Sequence, residues 1–408
     1  YRAITTLIEP FLGQHLKKRL QRGKEHPSRW REKQGFSVTA RPNGKLIWLN
    51  AVGLGEVMAL RGLIIALHNR DPELKFLVTS STLVSAETFA KNLPPNTLHQ
   101  FLPLDSPAYT RRFLDHWKPN LALWSEQDIW PGLVFQTSHR NIPQALINVR
   151  ISRTSFRNKT FVQALFRATY KNFSLISAQE SQTANALKTL AMREDIQIDG
   201  ALKPHCPPLF VDPKRQAEFS TSTIGRSIWL AASCHPEDED LALKAQRLLL
   251  AKGANPLLIL APRYPSRTDD ILKKLNGLSV RVHSRGELPT AETQIYLADS
   301  FAEMGNWYAS SEQALIGGTF SAVEGHNPWE ALQLGCGVMH GPRVGNFATD
   351  FELLRQANAC FAVHNAEDIV AHITSPPTRG LERFERLQHA NRSKISNLTD
   401  QLLKLIRA

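Results

Sequence analysis

The stretch IGGTFSAVEGHNPWEALQLGCGVMHGP, residues Ile316–Pro342, decides the fold. An apolar run ending at Ile316 meets Gly317 and Gly318, and a loop follows to Gly325-His326-Asn327-Pro328. Pro328 stands where a helix would begin, since its fixed φ suits a first helical turn. Glu330 falls in that turn, and Gly337–Pro342 reads as the next strand and loop. Strand, glycine loop, helix and strand make one βαβ unit, so the sheet it belongs to is parallel. Glycines, backbone amides and a helix dipole together suit an anion, and Glu330 can accept from ribose hydroxyls.

The same rhythm extends in both directions. Upstream in the second half, strands are predicted at Ile228–Ala232, Leu257–Ala261, Val280–His283, Ile295–Ala298, Ala314–Ile316 and Val338–His340. In the first half they are predicted at Leu46–Asn50, Leu74–Thr79, His99–Leu102, Leu121–Trp124, Ala145–Asn148 and Leu175–Ala178, with helical patterns between. The proline-rich run ALKPHCPPLFVDPKR breaks the pattern and reads as a linker. The expected organisation is a basic segment 1–36, an α/β domain 37–205, a linker 206–226, a second α/β domain 227–380 and a C-terminal helix 381–408.

In open α/β sheets ligands bind beyond the carboxyl ends of the strands, so the loops there carry the candidates. In NAVGLGEV, Gly53 and Gly55 precede a helix that opens with Glu56. Glu56 either complements the helix dipole or acts as a base. In SEQDIWPG, Glu126 and Asp128 lie just past a strand, where Asp128 caps a helix or the carboxylates orient a hydroxyl or act as a base. In INVRISRTS, Arg150 and Arg153 suit phosphate or carboxylate, or form a solvated turn. The second half offers Ser233 and His235 in ASCHPEDED, Arg263 in APRYPSR, then Gly317, Gly318, Asn327, Glu330 and Asn346.

Charge narrows the partners. The 408 residues carry 49 Lys+Arg against 37 Asp+Glu, a net +12. Nine of those basic residues and only three acidic ones fall in residues 1–36, half of the net charge. A basic balance fits nucleic acid, an anionic membrane or phosphorylated substrates. Outside residues 1–36 no basic run is interleaved with aromatics, which argues against nucleic acid. Within them Leu7, Ile8, Phe11, Leu12, Leu16 and Leu20 share one helical face beside Lys17, Lys18, Arg19 and Arg22, as in an interfacial anchor. The alternative is a basic helix packed on the domain. The four cysteines are far apart, which fits neither a zinc knuckle nor a disulfide scaffold, and no cluster has metal-ligand spacing. No apolar window is long enough for a spanning helix.

With these residues assembled, the chain resembles the 3-deoxy-D-manno-octulosonic acid (Kdo) transferases. AVGLGE is similar to that family's AVSVGE, SEQDIWPG to ETELWPN, NVRISRTS to NARLSERS and DGALKPH to GNLKFD. ASCHPEDE is similar to ASTHPGEE, PRYPSR to PRHPER, and EGHNPWEALQLGCGVMHGPRVGNF to GGHNPLEPAALGKPVLFGPHTFNF. It departs from the pattern at Gly53, Leu54, Gln127, Asp128, Gly132, His205 and Tyr264. The resemblance implies a GT-B fold, two Rossmann-like domains with parallel sheets facing across a cleft. It implies inverting transfer of Kdo from CMP-Kdo to a lipid A precursor in lipopolysaccharide synthesis, with CMP-Kdo as co-substrate and no metal or other cofactor. Glu56 would be the base, with Glu126 and Asp128 as a second acidic site. Ser233, His235, Arg263, Gly317, Gly318, Asn327, Glu330 and Asn346 would bind the donor, and Gly53, Gly55, Arg150 and Arg153 the acceptor or an anion. The partners expected are CMP-Kdo, the lipid and an anionic membrane surface, at the cytoplasmic face of the inner membrane. The chain would be peripheral there, or anchored by a segment upstream of Tyr1. The other enzyme reading is a divergent GT-B transferase or epimerase using another nucleotide sugar.

Overall fold

The computed structural model describes residues 2–151, 155–156, 163–301, 303–375 and 380–407. The chain divides into two compact units, one of Tyr1–Cys206 with Ala390–Ala408, the other of Pro207–His389.

The first unit is built on a seven-stranded sheet. Its strands are β1 Leu46–Asn50, β2 Lys75–Ser80, β3 Thr97–Phe101, β4 Leu121–Ser125, β5 Gln144–Val149, β6 Leu175–Ala178 and β7 Ile196–Ile198. They lie in the order β3-β2-β1-β4-β5-β6-β7, every neighbouring pair parallel. Strands sandwiched between helices are buried on both faces, so they read as unbroken apolar runs rather than alternating ones. β1, β4 and β5 are buried at every residue. Trp48 and Trp124, on adjacent strands, meet edge to face with centroids 5.1 Å apart. The exit order reverses between β1 and β4, and that reversal opens a crevice at the strand ends.

The second unit repeats the plan. Its strands are β8 Ile228–Cys234, β9 Leu257–Pro262, β10 Val280–Val282, β11 Ile295–Leu297, β12 Gln313–Ile316, β13 Gly337–His340 and β14 Phe361–Ala362. Their order is β10-β11-β9-β8-β12-β13-β14, all parallel, with the switch between β8 and β12. The twelve predicted strands coincide with β1–β6 and β8–β13 to within two residues at each end. The short edge strands β7 and β14 went unread because three and two residues carry no period.

Two expectations about boundaries change, and the C-terminal helix stands where it was expected. The run read as a linker holds the helix Pro213–Ser222, with Asp212 capping the amides of Lys214 and Arg215 and Phe219 buried in the second core. Pro213 is the first helical residue, while Pro207 and Pro208 lie in the irregular stretch before it. The helix predicted from residue 381 runs Gly380–Arg407, with Phe384 in the second unit's core and Leu398 and Leu402 in the first's.

The basic segment is also not one piece. A helix spans Arg2–Gln21 straight through Pro10. Its Glu9 accepts from the Ser106 hydroxyl and from the Ala108 amide at 3.1 Å, and Leu16 is buried, while Ile8 and Phe11 are exposed. The predicted apolar face is therefore shared between the domain and the outside. Beyond it, residues 25–36 are part of the domain. Glu25 is buried between Arg19 and Lys33, and Glu32 accepts the Phe101 amide at 2.8 Å. No helix among the described residues is long and apolar enough to cross a membrane.

Candidate functional site

In the first unit the crevice between β1 and β4 gathers the predicted carboxylates. The helix Leu54–Arg70 follows β1, with Gly53 at its N-cap and Glu56 three residues in. Glu56 turns back on the loop, and its Oε2 accepts the amides of Val52 at 3.1 Å and Gly53 at 3.0 Å. The dipole-complementing and functional readings of Glu56 are thus compatible, because the same cap holds the carboxylate at the strand end. Gly55 is exposed on the first turn.

Glu126 stands one residue past β4 with φ +63°, a left-handed conformation that a glutamate adopts at a cost. Its amide donates to the Ile147 carbonyl at 3.0 Å, and Asn148 Nδ2 lies 3.4 Å from its Oε1. Asn148 has φ +56° and is held in turn by Gln179 and by the Leu202 amide. Burial, with the charge of Glu56 second, pushes the Glu126 carboxyl from 4.5 up to about 7. Asp128 pushes the same way, while Lys203 and Arg150 oppose it. Glu56, Glu126, Asp128 and Arg150 are therefore one electrostatic cluster. Asp128 does not open the next helix. That helix, Pro131–Ser138, is met by Asp105, whose Oδ2 accepts the Gly132 amide at 2.9 Å. Arg153 lies outside the described residues.

Lys203 is the member that sequence reasoning missed as a site residue. Its signal was present in DGALKPH, a segment far from the other loops in sequence. The turn Lys203–His205 packs on the helix Leu54–Arg70 at Gly62, where a Cβ would lie 2.2 Å from the His205 carbonyl oxygen. Only glycine allows that approach, and the approach places Lys203 within reach of the carboxylates.

In the second unit the site lies at the switch between β8 and β12. β8 slips in register between Ala232 and Cys234, and Ser233 takes φ +54°. His235 then caps the helix Pro236–Ala251. Gly317 ends β12 so close to β8 that a Cβ would lie 2.4 Å from the Ser233 carbonyl oxygen. One buried carboxylate joins the two loops: Asp238 accepts the amides of His235 at 2.9 Å, Gly318 at 2.7 Å and Phe320 at 3.1 Å. Burial raises its carboxyl above the ordinary range although the three amides oppose this. In the sequence Asp238 is one of four acidic residues in ASCHPEDED, with nothing to single it out. His326, also unassigned there, places its Nε2 3.1 Å from His235 Nε2.

The remaining donor candidates surround this pair. The Arg263 amide donates to the Cys234 carbonyl at 2.9 Å, and its guanidinium lies 5.6 Å from the Tyr264 ring centre. Asn327 spans the start of the helix Trp329–Leu332: its Nδ2 donates to Glu330 Oε1 at 3.1 Å and its Oδ1 accepts the Trp329 amide at 3.1 Å. Asn346 is exposed, in a single 3-10 turn ahead of the helix Ala348–Gln356, and its side chain donates to the Val323 carbonyl. Among the described residues no three His, Cys, Asp or Glu side chains are grouped as metal ligands.

Comparison with known proteins gives the site its context. The family model described as 3-Deoxy-D-manno-octulosonic-acid transferase (kdotransferase) matches residues 28–205. A protein of Arabidopsis thaliana, described as a probable mitochondrial 3-deoxy-D-manno-octulosonic acid transferase, is 34% identical over 374 residues, 88% of this chain and 82% of its own. The 3-deoxy-D-manno-octulosonic acid transferase of Haemophilus influenzae is 32% identical over 386 residues, 91% of this chain and 90% of its own. The UDP-GlcNAc 2-epimerase of Neisseria meningitidis shares the fold alone, with a TM-score of 0.55 at 13% identity over 89% of this chain and 99% of its own. This chain belongs to the 3-deoxy-D-manno-octulosonic acid transferases, a family of glycosyltransferases.

Proposed function

We propose that the chain transfers Kdo, with inversion, from CMP-Kdo to a hydroxyl of a lipid A precursor. The observation that carries this reading is the carboxylate pair at the β1/β4 switch: Glu56 held by two backbone amides, with Glu126 beside it. Glu56 takes the proton of the acceptor hydroxyl as that oxygen attacks the anomeric carbon of Kdo. The proton on Glu126 keeps the pair from carrying two full negative charges. Arg150 and Lys203 meet phosphate or carboxylate groups of the acceptor.

The second unit binds the donor. The Arg263 guanidinium receives the phosphate beside the Gly317–Gly318 turn, whose own amides are held by the Ala232 carbonyl and by Asp238, and Glu330, oriented by Asn327, accepts from the ribose. As the glycosidic carbon–oxygen bond breaks, its electrons stay on the CMP phosphate. CMP is an adequate leaving group, so the reading needs no metal or other cofactor. Ser233, His235 and Asn346 complete the donor surface. The Arg2–Gln21 helix, with exposed Ile8, Phe11, Lys17, Lys18 and Arg22, lies against an anionic membrane. That surface is proposed to be the cytoplasmic face of the inner membrane.

The test is incubation of the full chain with CMP-Kdo and tetraacylated lipid A precursor, read by mass spectrometry. The expected product gains Kdo, and Glu56→Gln abolishes it while leaving the thermal transition in place. Turnover of UDP-GlcNAc without turnover of CMP-Kdo would overturn the reading in favour of another nucleotide sugar.

A further inference from the structure

His235 and His326 come from loops after different strands and stack with centroids 5.3 Å apart at 15°. Their Nε2 atoms are 3.1 Å apart, so one must donate and the other accept. Two imidazoliums cannot make that contact, since both nitrogens would then carry hydrogens. The pair as seen holds either no charge or one. Burial, then His235 and Arg263, lowers the His326 imidazole to about 4. From β8, the buried Cys234 thiol is pushed far above its ordinary range and stays neutral. From the helix Pro236–Ala251, Asp238 faces the pair, but its oxygens already accept three amides. From the loop after β9 come Arg263 and the Tyr264 ring, 5.8 Å from His235 and edge-on.

The pair adjoins the place assigned to phosphate. A Cβ built on Gly318 would lie 3.3 Å from Cδ2 and Nε2 of His326. An anion at the Gly317–Gly318 turn therefore sits against an imidazole pair that can accept exactly one proton without breaking its hydrogen bond. We infer that the His235–His326 pair takes up one proton when a nucleotide phosphate binds, and so serves as the counter-charge of the leaving group. The added proton goes to the outer Nδ1 of the donating ring, whose Nε2–H···Nε2 bond remains. In the transfer the CMP phosphate changes from a diester with one negative charge to a monoester with two. The imidazolium already in place meets the second charge as the carbon–oxygen bond breaks. This inference rests on the proposed donor site.

The probe is the methyl ester of cytidine 5′-monophosphate, whose single phosphodiester charge does not titrate near neutrality. Calorimetric titration of the full chain in buffers of different ionisation heat counts the protons taken up. About one proton is expected at pH 7, with the Kd rising about tenfold per pH unit where the full proton is bound. The double variant His235→Gln/His326→Gln keeps hydrogen-bonding side chains but has no ring to titrate, and its uptake should fall towards zero. If that variant does not fold, 15N spectra of the wild-type histidine rings give the answer: one ring should shift to the imidazolium position on adding the ester. Binding without proton uptake, or equal uptake in the double variant, overturns the inference while leaving the donor site standing. No binding of the ester overturns the donor site and the inference with it.

Discussion

Glu126→Gln tests the carboxylate cluster through stability alone, without a substrate. Burial and the neighbouring Glu56 move the Glu126 carboxyl from 4.5 to about 7. One pKa unit is worth about 1.4 kcal/mol, so the full shift corresponds to roughly 3 kcal/mol, and solvent relaxation in a half-buried site brings it to the order of 2–3 kcal/mol. The sign follows from proton counts. Between pH 4.5 and 7 the folded chain holds the Glu126 proton more tightly than the unfolded chain does. This group's contribution is therefore fully present below about pH 4.5 and is lost as the pH rises through about 7. Glutamine has the same shape and no charge. The variant should match the wild type near pH 5 and exceed it at pH 8. For a unit of this size that is a Tm difference of roughly 4–12 °C at pH 8. Differential scanning calorimetry of both proteins at pH 5, 6, 7 and 8 reads it. A difference of the same size at every pH would refute the reasoning, because a packing change has no proton in it. Glu56→Gln supplies a control: removing the second-largest cause should shrink the pH dependence of Glu126, and an unchanged profile would mean the two carboxylates do not interact.

Gly317→Ala places a methyl group 2.4 Å from the Ser233 carbonyl oxygen and 2.6 Å from that of Ala232. Neither backbone oxygen can move freely, so the loop after β12 must shift, and CMP affinity measured by calorimetry should fall at least about tenfold. Unchanged affinity would mean that the turn does not form the phosphate seat. Truncation of the N-terminal segment should separate its two roles. Removing residues 1–22 should weaken flotation with anionic vesicles, by an amount that shrinks with salt, and leave the far-ultraviolet spectrum per residue near that of the full chain. Removing residues 1–36 also strips Glu32 from the Phe101 amide and Lys33 from the Leu104 amide, so it should lower Tm by several degrees. Equal Tm values for the two truncations would contradict the placement of residues 25–36 in the domain.

The strands that form the centre of each sheet were legible because central parallel strands are apolar at every position, and β1 and β6 match their predicted ranges to the residue. The loops were legible too, since glycine, proline and acidic residues after a strand have a narrow set of causes. What escaped was of three kinds. Edge strands β7 and β14 are too short to show a pattern. Residues 213–222 hid a helix at the end of a proline-rich run, opened by Pro213. The amphipathic stripe of the first helix gave no hint that Leu16 would pack inward and Phe11 outward, because both are equally apolar.

By itself the sequence determined the central strands of both sheets, the α/β class and the loops that carry chemistry, since these depend on period and on the local conformations that glycine and proline permit. The tertiary structure decided which of those loops meet. Asp238 joins the loops after β8 and β12, and the two are 80 residues apart at the Gly318 contact. Lys203 acts on the charge of Glu126 from a turn packed against Gly62, where a side chain would clash. Glu56, read as either a helix cap or a base, does cap its helix, which leaves the base role open to it, and its neighbour Glu126 is the carboxyl whose proton affinity changed. Proton affinity depends on burial and on charges brought near by folding, and neither quantity exists along an extended chain.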